Sequence, residues 1–149
     1  MEIERKFLIN KIPFELTDYA RREIEQAYLC TEPVVRIRRD GGDFFLTYKS
    51  KGLMVREEYN LPLTAEAYSH LLAKHDGIII TKTRYEIPER DGLTIELDVF
   101  GGEYDGLILA EVEFLSEEQA LAYTPPEWFG EDVSLSEEYH NSSLSRKRP

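Results

Sequence analysis

Met1-Glu2-Ile3-Glu4-Arg5-Lys6 admits two readings. As a β-strand it puts Glu2, Glu4 and Lys6 on one face, because side chains alternate with period 2. Ile3, Arg5 and Phe7 then share the other face. As an exposed helix start it brings Glu2 and Lys6 together as an i,i+4 pair. Taken alone, the two readings are balanced. Charged alternation recurs in later segments, and that recurrence favours the strand.

In VVRIRR (34–39), Arg36 and Arg38 share a face opposite Val35 and Ile37. In FFLTYKS (44–50), Lys49 lies in phase with Thr47 and Phe45. Arg56 and Glu58 share a face of MVREEYNL (54–61), and Lys82 and Arg84 share one in TKTRYEI (81–87). Glu96 and Asp98 oppose Ile95, Leu97 and Val99. Glu111 and Glu113 oppose Val112 and Phe114. Half-buried strands ordinarily turn apolar residues inward and charges to water, and each strand alone fits that pattern. The signs are nevertheless segregated: acids group with acids and bases with bases. A solvated face mixes signs to favour cross-strand pairs. The spacing therefore points to an acidic wall and a basic wall lining a lumen.

Burying so many charges is costly unless each is compensated. Clustered carboxylates are hard oxygen ligands for Mg2+ or Mn2+. Arginine's planar fork suits phosphate oxygens. A divalent metal and a polyphosphate together would satisfy both walls. The outward apolar faces then need cover from helices and from the Trp128-Phe129 segment.

The chain of 149 residues reads as one domain, 1–149. Strands are expected over 1–9, 23–30, 34–39, 44–50, 54–61, 78–87, 93–100 and 107–114. Asp40-Gly41-Gly42-Asp43 reads as a hairpin turn. Thr64 caps a helix running to about Lys74, and Ser116 caps another reaching about Tyr123. Residues 146–149 read as a frayed basic end. Eight hairpin-linked strands imply a mainly β (α+β) fold, an eight-stranded antiparallel β-barrel tunnel with peripheral helices.

The net charge of -11 argues against nucleic acid as the main partner, since backbone binding needs a broad basic surface. It leaves room for a small polyanion held by a minority of bases in one cavity. No apolar run approaches a membrane span, and no signal-peptide pattern is present. The lone Cys30 fits a reducing compartment, so the expectation is a cytoplasmic protein. His70, His75 and His140 lack metal-ligand spacing, and no GxxxxGK[ST] loop occurs.

The series EIERK, RIRR, TYKSKG, VREEY, TKTRY, IELDVF, LAEVEF, PPEWFGEDV and YHN, in order, resembles the CYTH superfamily, the triphosphate tunnel metalloenzymes, in its short bacterial type. The resemblance spans essentially the whole chain. One departure is Ala27, where many short members carry Gly. The resemblance implies metal-dependent hydrolysis of triphosphates. The favoured substrate is inorganic tripolyphosphate, with nucleoside triphosphates also in range; a class IV-type adenylate cyclase and a non-catalytic polyphosphate-binding module are the alternatives. It implies Glu2, Glu4, Glu111 and Glu113 as metal ligands, with Glu96 and Asp98 as further acids. Lys6, Arg36, Arg38, Lys49, Arg56, Lys82 and Arg84 are implied to bind phosphate. Glu4, Arg38 and Lys82 are the expected catalytic groups; the base is open between a water activated by a second metal and Lys82, whose pKa cationic neighbours would depress. The role of Glu58 and the oligomeric state stay open.

Overall fold

Val55–Arg56 and Glu58–Leu63 are consecutive in the chain, yet they stand at opposite ends of one sheet. In the computed structural model, which describes residues 1–146, nine strands are found among the described residues. They are β1 (Glu2–Leu8), β2 (Ala20–Thr31), β3 (Val34–Asp40), β4 (Asp43–Lys49), β5 (Val55–Arg56), β6 (Glu58–Leu63), β7 (Asp76–Pro88), β8 (Thr94–Phe100) and β9 (Ile108–Glu113). Their order is β5-β1-β9-β8-β7-β2-β3-β4-β6, and the paired strands are antiparallel. Because β5 and β6 are separated by Glu57 alone, the sheet's two edges meet and the barrel closes.

The single strand expected over 54–61 is thus divided in two. Its first part pairs Arg56 with Glu2 and Val55 with Ile3. Its second part pairs Glu58 to Leu63 with Lys49 to Phe44. The switch at Glu57 is held by Ser50, whose N–H donates to the Glu57 carbonyl (3.0 Å) and whose hydroxyl accepts from the Glu57 N–H (2.9 Å). Pro62 is tolerated in β6 because this strand is a sheet edge. MEIERK is strand, and the helix reading falls away.

The apolar faces point outward, as expected, and are covered. Ile3, Phe7, Ile95, Leu97, Ala110 and Val112 pack beneath Ala120 of α2 (Glu117–Ala122), Tyr123 and Phe129, with Trp128 alongside. Arg5 lies on this apolar side for a reason. It donates to the carbonyls of Ala120 (3.0 Å) and Tyr123 (2.9 Å), the orphan acceptors at the end of α2, and pairs with Asp132 at 2.8 Å. Ala27 and Ile37 are capped by Tyr68 and the leucines of α1 (Ala65–Leu72). Thr64 and Ser116 cap α1 and α2 as expected, accepting from Ala67 and Gln119 N–H groups.

The lumen is not ionic along its whole length. Tyr28, Val34, Ile80, Phe100 and Leu109, in phase with the charged residues of their strands, pack with Val133 and with Leu144 of α3 (Asn141–Leu144). They form an apolar floor at one end of the expected tunnel. Gly77 at φ +70 passes close to Ser145, where a Cβ would meet the Ser145 carbonyl at 2.1 Å, and this seats the C-terminal segment on that floor. Of the expected basic end, residues 147–149 lie outside the described residues.

Candidate active site

Above the apolar floor lies a cavity of about 270 Å3. Glu2, Glu4 and Lys6 of β1, Arg36 and Arg38 of β3, Lys49 of β4, Arg56 of β5, Glu58 of β6, Arg84 of β7, Glu96 of β8 and Glu111 and Glu113 of β9 all line it. The two walls follow from strand order. The acid-bearing strands β1, β9 and β8 are adjacent, and most of the bases lie on the strands that complete the circumference. Glu4 faces Glu113, and Glu96 faces Glu111, directly across neighbouring strands. Like charges so placed repel, and only a compensating cation makes the arrangement favourable.

Some of that compensation comes from bases reaching across. Lys6 sits 3.3 Å from Glu111, Lys49 is 3.1 Å from Glu2 and 3.5 Å from Glu58, and Arg56 is 3.5 Å from Glu2. Arg84 holds Asp98 through two hydrogen bonds of 2.7 and 2.9 Å and reaches Glu111 at 3.2 Å and Glu96 at 3.4 Å. Burial alone would raise Glu2, Asp98 and Glu111. Lys49 and Arg56 for Glu2, Arg84 and Lys82 for Asp98, and Lys6 and Arg84 for Glu111 outweigh it and hold all three low.

Four groups are left out of this pairing. Among the described residues, Glu4 and Glu113 form no ion pair, and neither does Arg36; Arg38 has only Asp40, at 4.0 Å. Glu4 is pushed up to about 8 by burial and by the Glu111 and Glu2 carboxylates. Arg38 is pushed down to about 9 by burial and by Arg36 and Arg84. Arg36 gives one N–H to the Thr47 hydroxyl at 3.3 Å, and its buried Nε has no partner. One cavity therefore holds frustrated acids on one wall and frustrated guanidinium groups on the other.

Two expected residues stand behind the wall rather than on it. Lys82 and Asp98 have fully buried side chains 2.7 Å apart, and neither lines the cavity. Lys82 is pushed down to about 8, chiefly by burial, with Arg84 and Arg38 adding to it. The direction is the expected one, but the amine faces Asp98 and the Phe100 ring, 5.4 Å away.

The cavity also contains residues that the strand pattern leaves unmarked. Arg22, paired with Asp40 and Glu86, guards the open mouth. Gln26, on the same face of β2 but wholly buried behind the lining, accepts from Arg38 Nε at 3.3 Å. Applying the period to REIEQAY finds both. His140 and Asn141 arrive from the C-terminal segment, where no periodicity points to a lumen. Burial and the charges of Lys6 and Arg56 push His140 down to about 4. A base with a depressed folded pKa adds stability that is present above about 6.5 and lost as pH falls toward 4. Lys6 on β1 and Arg56 on β5 oppose its protonation, and Glu111 on β9 only partly favours it. His140→Gln is therefore expected to flatten the fall in unfolding free energy between pH 6.5 and 4, read by urea denaturation. An unchanged slope would contradict the assignment.

The CYTH domain family matches residues 1–147. An inorganic triphosphatase of Nitrosomonas europaea is 39% identical over 151 residues, covering 99% of each chain. An inorganic triphosphatase of Acetivibrio thermocellus is 34% identical, over 96% of this chain and 92% of its own. A crystal structure of an inorganic triphosphatase superposes with a TM-score of 0.74 at 38% identity, covering 100% of this chain and 97% of the other. Among the described residues no helix is long and apolar enough to cross a membrane. The family match spans nearly the whole chain and two full-length relatives exceed 30% identity, so the chain belongs to the CYTH domain family.

Proposed function

We propose that the protein hydrolyses inorganic tripolyphosphate to pyrophosphate and orthophosphate with the help of Mg2+ or Mn2+. One observation carries the reading: a single cavity in which uncompensated arginines face uncompensated carboxylates. A polyphosphate answers the first, and a divalent cation the second. Two relatives of similar length are named inorganic triphosphatase, which supports the same substrate class.

Arg36 and Arg38 receive the phosphate chain first, since neither must give up a close carboxylate. Lys6, Lys49, Arg56 and Arg84 then exchange carboxylate partners for phosphate oxygens. That exchange releases Glu2 and Glu111 toward Glu4 and Glu113. As the side chains stand, no three acids among the described residues converge closely enough to hold an ion. The donor set still fits a hard cation: all carboxylate, and crowded enough to keep Glu4 protonated at neutral pH. Glu2, Glu4, Glu111 and Glu113 would hold the metal, with Glu96 beside them. When bound, a divalent cation draws charge off phosphate oxygens and makes a water more acidic. Asp98 and Lys82 fit support better than ligation or proton transfer, because they lie behind Arg84 and fix it.

Water attacks a terminal phosphorus. A new P–O bond forms, the bridging P–O bond breaks, and its electron pair leaves with pyrophosphate. The basic wall holds the charge that develops on the oxygens, which is electrostatic stabilisation by groups already in place.

The test is product identification with tripolyphosphate or ATP plus Mg2+ or Mn2+. Orthophosphate and pyrophosphate from tripolyphosphate support the reading. Cyclic AMP with pyrophosphate from ATP would replace it with a cyclase, and binding without turnover with a binding module. A chelator is expected to abolish orthophosphate release and added Mg2+ or Mn2+ to restore it; release that persists in excess chelator would take the metal out of the mechanism.

A further inference from the structure

A second cavity, of about 340 Å3, lies beside the first. Val34, Lys49, Arg56 and His140 line both cavities, so the two adjoin along these residues. Beyond them the second cavity is bounded by the loop 50–53 between β4 and β5 and by the C-terminal segment. Lys51 and Arg146 join Lys49 and Arg56 in its lining, against the two acids Glu32 and Glu137.

Lys51 and Arg146 are exposed, and neither forms an ion pair among the described residues. Among the described residues the Arg146 guanidinium donates long hydrogen bonds to the hydroxyls of Thr31 (3.4 Å) and Ser143 (3.5 Å). In a chain of net charge -11, four pooled cations beside two acids are a local reversal of sign. The loop that carries Lys51 has a defined course. Gly52 sits at φ +131, where a Cβ would meet the Val55 carbonyl at 2.4 Å. Among the described residues no Phe, Tyr or Trp lines this cavity, and the His140 imidazole is the one ring it offers a nucleobase for stacking.

We propose that this cavity is a subsite for the distal phosphates of linear polyphosphates longer than three units, continuing the path of the reacting triphosphate past Lys49 and Arg56. The inference rests on the proposed function. It adds chain length as a second axis of specificity, set by Lys51 and Arg146 outside the catalytic wall.

Binding is measured by titration calorimetry in chelator, with tripolyphosphate, tetrapolyphosphate, a longer linear polyphosphate and ATP. Affinity is expected to rise with chain length. Lys51→Glu, in an exposed loop, is expected to weaken the two longer ligands about tenfold and to leave tripolyphosphate within about twofold. Arg146→Gln is the second variant, expected to act in the same direction. Affinity independent of length, or an equal loss for tripolyphosphate, would overturn the subsite. An equal loss for ATP would assign the cavity to nucleotides and overturn it too. Failure of the proposed hydrolysis is read separately: a protein that binds longer chains better through Lys51 but releases no orthophosphate with metal keeps the subsite and loses the reaction. A protein that binds no tripolyphosphate loses both.

Discussion

Arg38→Ala and Glu4→Ala are each expected to lower kcat/KM for tripolyphosphate at least ~100-fold, roughly 2.7 kcal/mol of transition-state stabilisation. Arg38 is half-buried beside two other guanidinium groups, and its one ion-pair contact among the described residues is Asp40 at 4.0 Å. Its charge is therefore costly to hold until an anion arrives. Arg84 cannot substitute, because Asp98 fixes it at its own place on the wall through two hydrogen bonds. Arg38→Lys should recover little, since a lysine lacks the bidentate fork and the Nε that reaches Gln26. Glu4 is the mirror case, an acid crowded by Glu111 and Glu2 with no base at ion-pair distance. Glu4→Gln keeps its shape but cannot ionise to meet a cation, and should fall as far as Glu4→Ala. Steady-state kinetics at saturating Mg2+ decides the matter; near-normal turnover in either alanine variant would dismiss this cavity as the site.

The second large effect is on stability. Asp98→Ala is expected to cost about 3–5 kcal/mol of unfolding free energy, the range for breaking a buried ion pair from one side. Asp98 is wholly buried and stands within 2.7 Å of both Lys82 and Arg84. Its removal strands Lys82, which has no other ion pair among the described residues, and takes two hydrogen bonds from Arg84. Because Asp98 is held below its ordinary range, its contribution is present above about pH 4 and fades as pH falls through the depressed folded value. Urea denaturation at neutral pH measures the loss. Asp98→Asn should recover part of it, through hydrogen bonding without charge. A variant as stable as the parent would mean that the network behind Arg84 supports nothing.

Much of this site is written in alternation. Glu2, Glu4 and Lys6 share a face because a strand allows nothing else, and the same rule places Arg36 with Arg38 and Glu111 with Glu113. Sign segregation then indicates a lumen, since a wet face would have mixed the charges. Three features escape that rule. Alternation gives the face but not the depth, so Lys82 and Asp98 read as wall residues when their side chains end behind it. The floor escapes because Ile80, Phe100 and Leu109 are in phase with charged neighbours, and only packing against Leu144 identifies them as a seal. The break at Glu57 escapes because MVREEYNL alternates without interruption, and its division depends on two partners far away in the chain.

That break has a mechanical consequence. The rest of the wall is sewn by long runs of paired residues, but the joint between Val55-Arg56 and Ile3-Glu2 is two residues wide. Arg56 and Glu2, which fasten it, also face the ligand. On the proposed function, a polyanion that takes Arg56 from Glu2 would loosen the narrowest clasp in the hoop, so that filling the cavity and slackening its rim would be one event.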